Sequence, residues 1–430
     1  MSLLLRKILR FIIANKSTSR YIKKIYFESK NEKNIEINIS ESSLIECRDS
    51  EFEDLRLNLL IPALSVKHVF GGISTALEIF ESIGKDFANL RIILTDEQNF
   101  EYTSNEAFKH WTISKLSDED SPGKVIVAAG DRYNKTLAVG KGDRVIASAW
   151  WTAIIAKNIQ KWQGERFNGG ISKKFVYLIQ DFEPGFYPWS SRFALALATY
   201  HDTEGIIAIF NTSILKVFFD NEGLRFNESY VYEPALNRKL QVKLSELVST
   251  AREKKVLIYG RPSVERNAFE VIVMGLRRWI SDNQTTKWVF VSAGENYPDI
   301  DLGFGHSLSS VGKLSLSEYA GELRKASIGI SLMISPHPSY PPLEMAAFGI
   351  NVITNSYRNK NLSKLSSLIY SLDSVNPEEI AKALTECVDQ CEKENDFKEE
   401  FFSDYLKQYI QGNGGFHDSE AKISQSLRNI

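Results

Sequence analysis

Residues Ile328–Thr354 read I-G-I-S-L-M-I-S-P-H-P-S-Y-P-P-L-E-M-A-A-F-G-I-N-V-I-T. The apolar run at its start predicts a strand over Ile328–Met333. A proline-rich turn follows. A helix is expected from Pro341 or Pro342, where proline suits the first turn, to Phe348, with Gly349 as its stop. Ser339 is the expected N-cap. Asn351–Thr354 then reads as the next strand. A strand, a turn, a helix and a second strand make one unit of an open parallel sheet.

The pattern repeats on both sides of this stretch. Toward the N-terminus, strands are expected at Lys255–Tyr259, Trp288–Ser292 and Ser307–Val311, separated by helical patterns at Val264–Ile280 and Leu316–Ala326. Earlier still, near-continuous apolar runs mark strands at Leu57–Ile61, Leu90–Leu94, Lys124–Ala128, Arg144–Ser148, Phe175–Ile179 and Gly205–Phe210. Such runs suit strands buried on both faces. The 430 residues are too many for one core. The fold class is therefore α/β: two Rossmann-like, doubly wound parallel sheets facing each other across a cleft. The expected divisions are a lead-in over 1–55, a first domain over 56–235, a second over 236–400 and a helical tail over 401–430. The hinge is placed in Pro234–Glu253, and Asn31–Asp54 reads as an acidic linker.

Fifty-two Lys and Arg against 54 Asp and Glu give no field that favours nucleic acid. Three cysteines suit a reducing, cytoplasmic setting. No run of about 20 apolar residues exists to span a bilayer. Leu3, Leu4, Leu5, Ile8 and Leu9 are interleaved with Arg6, Lys7 and Arg10, and Lys16, Arg20, Lys23 and Lys24 follow. Two readings stand for this segment: an amphipathic helix on an anionic membrane surface, or a helix packed on the protein. Self-association stays open.

Ligands of open α/β sheets bind outside the carboxyl ends of the strands. Arg261 follows one such strand in Y-G-R-P and Lys313 another in S-V-G-K. Either cation alone is ordinary surface charge. With the helix start at Ser339–Tyr340 they make a metal-free clamp for a diphosphate, since a helix N-terminus offers unpaired amides. Glu344, one turn into that helix, is placed to accept hydrogen bonds from a hydroxyl next to the anion. Gly260, and Gly294 after the neighbouring strand, allow close backbone approach.

These residues resemble the C-terminal half of retaining GT-B glycosyltransferases. That resemblance implies Arg261 and Lys313 on the donor diphosphate and Glu344 as the second of two paired glutamates. The first glutamate would fall at Pro336, so His337, Ser339 or Tyr340 is expected to take over its sugar contact. The fuller match is to bacterial WsaF-type rhamnosyltransferases of surface polysaccharide synthesis. It is carried by H-V-F-G-G-I-S-T, I-Q-D-F-E-P-G-F-Y, I-Y-G-R-P and P-H-P-S-Y-P-P-L-E-M-A-A-F-G. It implies a dTDP-rhamnose donor, a glycan acceptor that could be lipid-linked, and no cofactor.

The first domain is then expected to hold the acceptor. Gly71 and Gly72 would approach the donor phosphates and the acceptor. Asp181 and Glu183 follow a strand and precede Phe186, Tyr187 and Trp189, a composition suited to sugar hydroxyls and sugar faces. Either acid would be the base of an inverting enzyme. The Asp-x-Asp spellings at Asp118–Asp120 and Asp299–Asp301 read as solvated turns, and no metal is expected. An epimerase of the same plan and a non-catalytic glycan-binding relative are the other readings, whereas no G-x-G-x-x-G supports a dehydrogenase. Deleting residues 1–30 separates the two N-terminal readings. Loss of binding to anionic vesicles supports the surface helix, and unchanged partitioning supports the packed helix.

Overall fold

A computed structural model describes residues 39–64, 71–245, 252–393, 402–416 and 419–428. The basic segment at 1–30 lies outside the described residues. The chain divides into a short unit, Met1–Ser43, and one body, Leu44–Ile430.

The first half of the body contains strands Glu46–Asp49 (β1), Arg56–Ile61 (β2), Asn89–Leu94 (β3), Thr112–Lys115 (β4), Lys124–Ala128 (β5), Thr136–Val139 (β6), Asp143–Ala147 (β7), Phe175–Ile179 (β8), Ile206–Phe210 (β9) and Glu228–Val231 (β10). Helices Gly72–Gly84 (α1), Trp150–Phe167 (α2), Ser191–Ala198 (α3) and Ser213–Asn221 (α4) connect them. Eight strands form one parallel sheet in the order β10-β9-β8-β7-β2-β3-β5-β4, and β1 pairs separately with β6. The second half carries Lys255–Gly260 (β11), Val289–Gly294 (β12), Ile300–Gly303 (β13), His306–Gly312 (β14), Ile328–Ile330 (β15), Asn351–Asn355 (β16) and Ile369–Leu372 (β17). Their order is β13-β14-β12-β11-β15-β16-β17, parallel except for the β13–β14 hairpin at one edge. Helices Arg238–Ser245 (α5), Phe269–Asp282 (α6), Leu316–Lys325 (α7), Pro341–Ala347 (α8), Pro377–Lys393 (α9), Asp404–Gln411 (α10) and Glu420–Arg428 (α11) complete the body.

The period of two along each strand sorts side chains between two cores. In β8, Phe175, Tyr177 and Ile179 enter one core and Val176 and Leu178 the other. In β11, Val256 and Ile258 face one side and Leu257 the opposite. Both sheets are thus covered on both faces, and this is why their central strands are apolar runs.

The first sheet departs from that rule at its amino edge. Arg56 pairs with Asp143 at 2.7 Å and with Asp120 at 2.7 Å. Arg91, 2% exposed, donates to Asn58 Oδ1 at 2.6 Å and to the Ala138 carbonyl at 2.9 Å. Asn58 donates in turn to Asp143 at 2.9 Å. Burial pushes Arg91 down to about 10 against the pull of Asp143. Burial works to raise the Asp143 carboxyl, yet Arg91, Arg56 and Asn58 hold it below the usual range. Two expectations are corrected here. Asp120 is not a solvated turn residue but a member of this network. Residues 46–49 are not linker but β1, whose partner β6 supplies the Ala138 carbonyl.

The end of the chain also differs from a plain helical tail. Leu406 and Tyr409 of α10 join the core of the second sheet, with Leu236 and Leu240. Phe416, and Ile423 and Leu427 of α11, join the core of the first. The chain therefore crosses between the sheets twice, and the two crossings are bonded through Glu233 and Gly415 at 3.0 and 2.8 Å. The described part of Pro234–Glu253 is packed structure rather than a free hinge, since α5 lies within it.

Removing Asp143 leaves two buried guanidinium groups with Asp120 alone as their shared counter-charge. Asp143→Ala is expected to cost about 3–5 kcal/mol in urea unfolding, and a loss below about 1 kcal/mol would contradict the network's role.

Candidate functional site

In both sheets the strand order reverses beside the first strand of the series. The reversal lies between β2 and β7 in one sheet and between β11 and β15 in the other. Such switch points open a crevice at the carboxyl ends of the strands. Gly71 and Gly72 follow β2, while Arg261 follows β11 and the 331–340 loop follows β15.

Four adjacent strand ends of the second sheet, from β14, β12, β11 and β15, carry Lys313, Gly294, Arg261 and that loop. Gly294 has φ +137°, and a Cβ there would lie 2.5 Å from the Gly260 carbonyl oxygen. A Cβ on Gly260 would lie 2.2 Å from Ser292 Oγ. Only glycine fits at either position, so the floor between the two cations is bare backbone. Arg261 is half-exposed and its Nε lies 3.5 Å from Glu295. Glu295 also accepts the Ser263 amide at 3.0 Å, which fixes the turn after Arg261. The Lys313 ammonium is lowered by burial and by Arg261, so the two cations feel each other.

Glu344 is half-buried in α8. Burial lifts its carboxyl to about 7, and the Tyr319 hydroxyl pulls the other way. The expected N-cap needs correcting. Ser339 sits at φ +67°, outside the helix, and the cap position is Tyr340, with no side-chain bond to the first turn. The anion-binding end of this helix is also poorer than expected. Pro341 and Pro342 have no N–H. The Ser339 amide donates to His337 Nδ1 at 3.0 Å, and the Glu344 amide is taken by the Tyr340 carbonyl.

The first sheet meets this edge directly. Asp181, at the end of β8, accepts hydrogen bonds from Ser335 Oγ and the Arg266 guanidinium. Arg266 lies 3.9 Å over the Phe186 ring. Asn211, just after β9, donates to the Tyr340 hydroxyl at 2.8 Å. A Cβ on Gly72 would lie 2.9 Å from Gln180 Oε1, so α1 and the β8 loop are in close contact. Gly71 has φ +43°, with nothing within 4 Å of a Cβ built there.

The two acids therefore differ from the reading of them as acceptor contacts. Asp181 is 9% exposed and engaged across the sheets. Glu183 is 6% exposed and bonded by the Tyr177 hydroxyl at 3.1 Å. Burial pushes its carboxyl up to about 8, so it presents no carboxylate to the cleft. Trp189, by contrast, is 91% exposed and packs on Phe193 with ring centres 4.9 Å apart. Arg266, Asn211 and Glu295 were missed. Each stands within six residues of a strand end, the signal that singled out Arg261. Among the described residues no group of three or more His, Cys, Asp or Glu could hold a metal ion.

Residues 56–213 match the family model of the WsaF N-terminal domain, and residues 254–385 that of the WsaF C-terminal domain. An O-antigen biosynthesis protein, RfbC, of Myxococcus xanthus is 32% identical over 180 residues, which is 42% of this chain and 14% of that one. The chain thus spans a small part of that relative's length. Sucrose-phosphate synthase of Thermosynechococcus elongatus superposes with a TM-score of 0.53 at 12% identity, covering 87% of this chain and 98% of the other. Trehalose-6-phosphate synthase OtsA does so with a TM-score of 0.51 at 10% identity, covering 87% and 99%. At such identities the likeness is one of fold. With two parallel sheets meeting at their carboxyl edges and both halves matched by the paired family models, the chain has the GT-B fold and belongs to the WsaF family.

Proposed function

We propose that this chain is a glycosyltransferase that moves a sugar from a nucleotide-sugar donor to a glycan acceptor in surface polysaccharide synthesis. The observation that carries this reading is the pair Arg261 and Lys313, set on two strand ends with the side-chain-free end of β12 between them. A guanidinium and an ammonium over bare backbone suit a diphosphate, which needs charge and close approach together. Membership of the WsaF family and the O-antigen role in the name of the Myxococcus relative support the polysaccharide context. The finer reading is transfer of rhamnose from dTDP-rhamnose with retention, without metal, at the cytoplasmic side of the membrane.

The sugar C1–phosphate oxygen bond breaks and a bond from C1 to the acceptor oxygen forms. The acceptor's proton passes to a phosphate oxygen of the departing dTDP. Negative charge grows on the diphosphate, where Arg261 and Lys313 stabilise it as fixed charges. Glu344 accepts a ribose hydroxyl. Burial of Asp181 and Glu183 leaves neither as a base for the acceptor, which favours the leaving phosphate in that role.

A thermal-shift screen with UDP-, GDP- and dTDP-sugars tests the donor class, with stabilisation by dTDP-rhamnose expected. Arg261→Ala and Lys313→Ala are each expected to weaken dTDP binding roughly ten- to hundredfold; unchanged affinity in both would overturn the clamp. Glu344 gives a pH test. Its folded-state value of about 7 lies above the ordinary carboxyl value of roughly 4.3. The fold therefore bears a cost of ionisation that starts near the lower value and is complete above the higher. Glu344→Gln removes it, so the gain in Tm over the parent protein should grow from pH 5 to pH 8. A gain independent of pH would contradict this environment for the carboxylate.

A further inference from the structure

Arg261, Gly294 and Lys313 stand at the ends of three neighbouring strands, β11, β12 and β14. One residue, Glu295, joins the three ends. Its amide donates to the Gly260 carbonyl at 3.0 Å. Its carboxylate accepts from the Ser263 amide at 3.0 Å and from the Ser263 hydroxyl, and lies 3.5 Å from Arg261 Nε. Its carbonyl accepts from Ser310 Oγ at 2.7 Å, and the same Oγ accepts from the Gly312 amide at 3.1 Å. The side chain of Glu295 thus reaches the turn that carries Arg261, and its backbone reaches the turn that carries Lys313.

The second of these contacts falls on an irregularity. Ser292 of β12 is paired with Ser310, but Ala293 is paired with Gly312. Val311 is therefore the extra residue of a β-bulge. Bulges re-aim the side chains around them. Counted on from Gly312, this one brings Lys313 to the level of Gly294. An unbroken register would carry it one residue farther, to the level of Glu295. Ser310 spans the bulge, since its hydroxyl holds the Gly312 amide on one side and the Glu295 carbonyl on the other. On the Arg261 side, a Cβ on Gly294 would lie 3.2 Å from Arg261 Cγ, so the Arg261 stem passes over the same glycine. Both cations are therefore brought to the end of β12, although like charges repel there.

A carboxylate beside an anion site repels the anion. Glu295 would weaken binding if charge were all it contributed. Its bonds act in the opposite direction. They fix the two cations at their spacing before a ligand arrives, and a preset site avoids the ordering cost of binding. We infer that Glu295 and Ser310 are the positioning residues of the diphosphate clamp, the Glu295 carboxylate setting Arg261 and the Ser310 hydroxyl locking the bulge that aims Lys313. The inference rests on the proposed function, and it gives each cation a support of its own.

Calorimetry with dTDP tests it on Glu295→Ala, Glu295→Gln and Ser310→Ala, each alone and combined with Arg261→Ala or Lys313→Ala. Glu295→Ala is expected to weaken dTDP binding about five- to tenfold, although it removes a negative charge. Glu295→Gln keeps an acceptor oxygen for Ser263 and should lose less than about threefold. In the Glu295→Ala background, Arg261→Ala should cost no more than about threefold further. Lys313→Ala should keep its full effect there, because the Glu295 carbonyl still accepts from Ser310. In the Ser310→Ala background the pattern reverses, with Lys313→Ala blunted and Arg261→Ala unchanged. A general loss of structure blunts both cations alike, so equal blunting in either background overturns the inference. Tighter dTDP binding in Glu295→Ala, or undiminished effects of both cations in both backgrounds, overturns it as well and leaves the clamp standing. Failure of the parent protein to bind any nucleoside diphosphate in the donor screen overturns the proposed function and this inference with it.

Discussion

The central strands of both sheets are covered on both faces, so their side chains are used up in packing and chemistry is confined to the strand ends. The whole arrangement of the cleft depends on this constraint. On the second sheet, four neighbouring ends supply Lys313, the bare backbone at Gly294, Arg261 and the 331–340 loop. On the first, the ends of β8 and β9 supply Asp181 and Asn211. No residue in the middle of a strand takes part.

The two edges of the first sheet use charge in opposite ways. At the amino edge, Arg56 and Arg91 face Asp120 and Asp143 within 3.6 Å, and the charges close on one another. Such a cluster offers nothing to a ligand; its geometry ties β1 and β6 to the main sheet. At the carboxyl edge of the second sheet, Arg261 and Lys313 feel mutual repulsion instead. Two cations placed where they oppose each other gain when an anion arrives between them. Glu295 limits the cost of this arrangement and holds the turn after Arg261 in place.

Much of the architecture was legible because double-sided burial writes itself as uninterrupted apolar runs. Lys124–Ala128 and Phe175–Ile179 could be bounded to the residue, and Arg261 and Lys313 could be placed at strand ends without coordinates. The short, less buried strands β4, β10 and β13 lacked that signature. So did β1, whose Glu46 and Asp49 read as linker. The turn at Ser339 was misjudged because a serine with a left-handed backbone leaves no mark in composition. Asp181 was visible as an acid after a strand. That it would meet residues 85 and 154 positions later was not, since a long-range ion pair depends on how two sheets meet. The polar network of Arg56, Asn58, Arg91 and Asp143 was hidden for the same reason. Arg56 and Asp143 start their strands, where solvent exposure is the natural reading, and Asn58 and Arg91 interrupt apolar runs without any local sign of the partners they meet.

The return of α11 to the first sheet bears on how the chain is made. Ile423 and Leu427 fill a core whose strands begin at Arg56, so that core is incomplete until the chain has been made as far as α11. A first half emerging from the ribosome would carry an open apolar face while the second half is still being translated. The usual advantage of folding the N-terminal half first is therefore reduced. The two halves are topologically separate sheets, but the core of the first is completed by residues that follow the second.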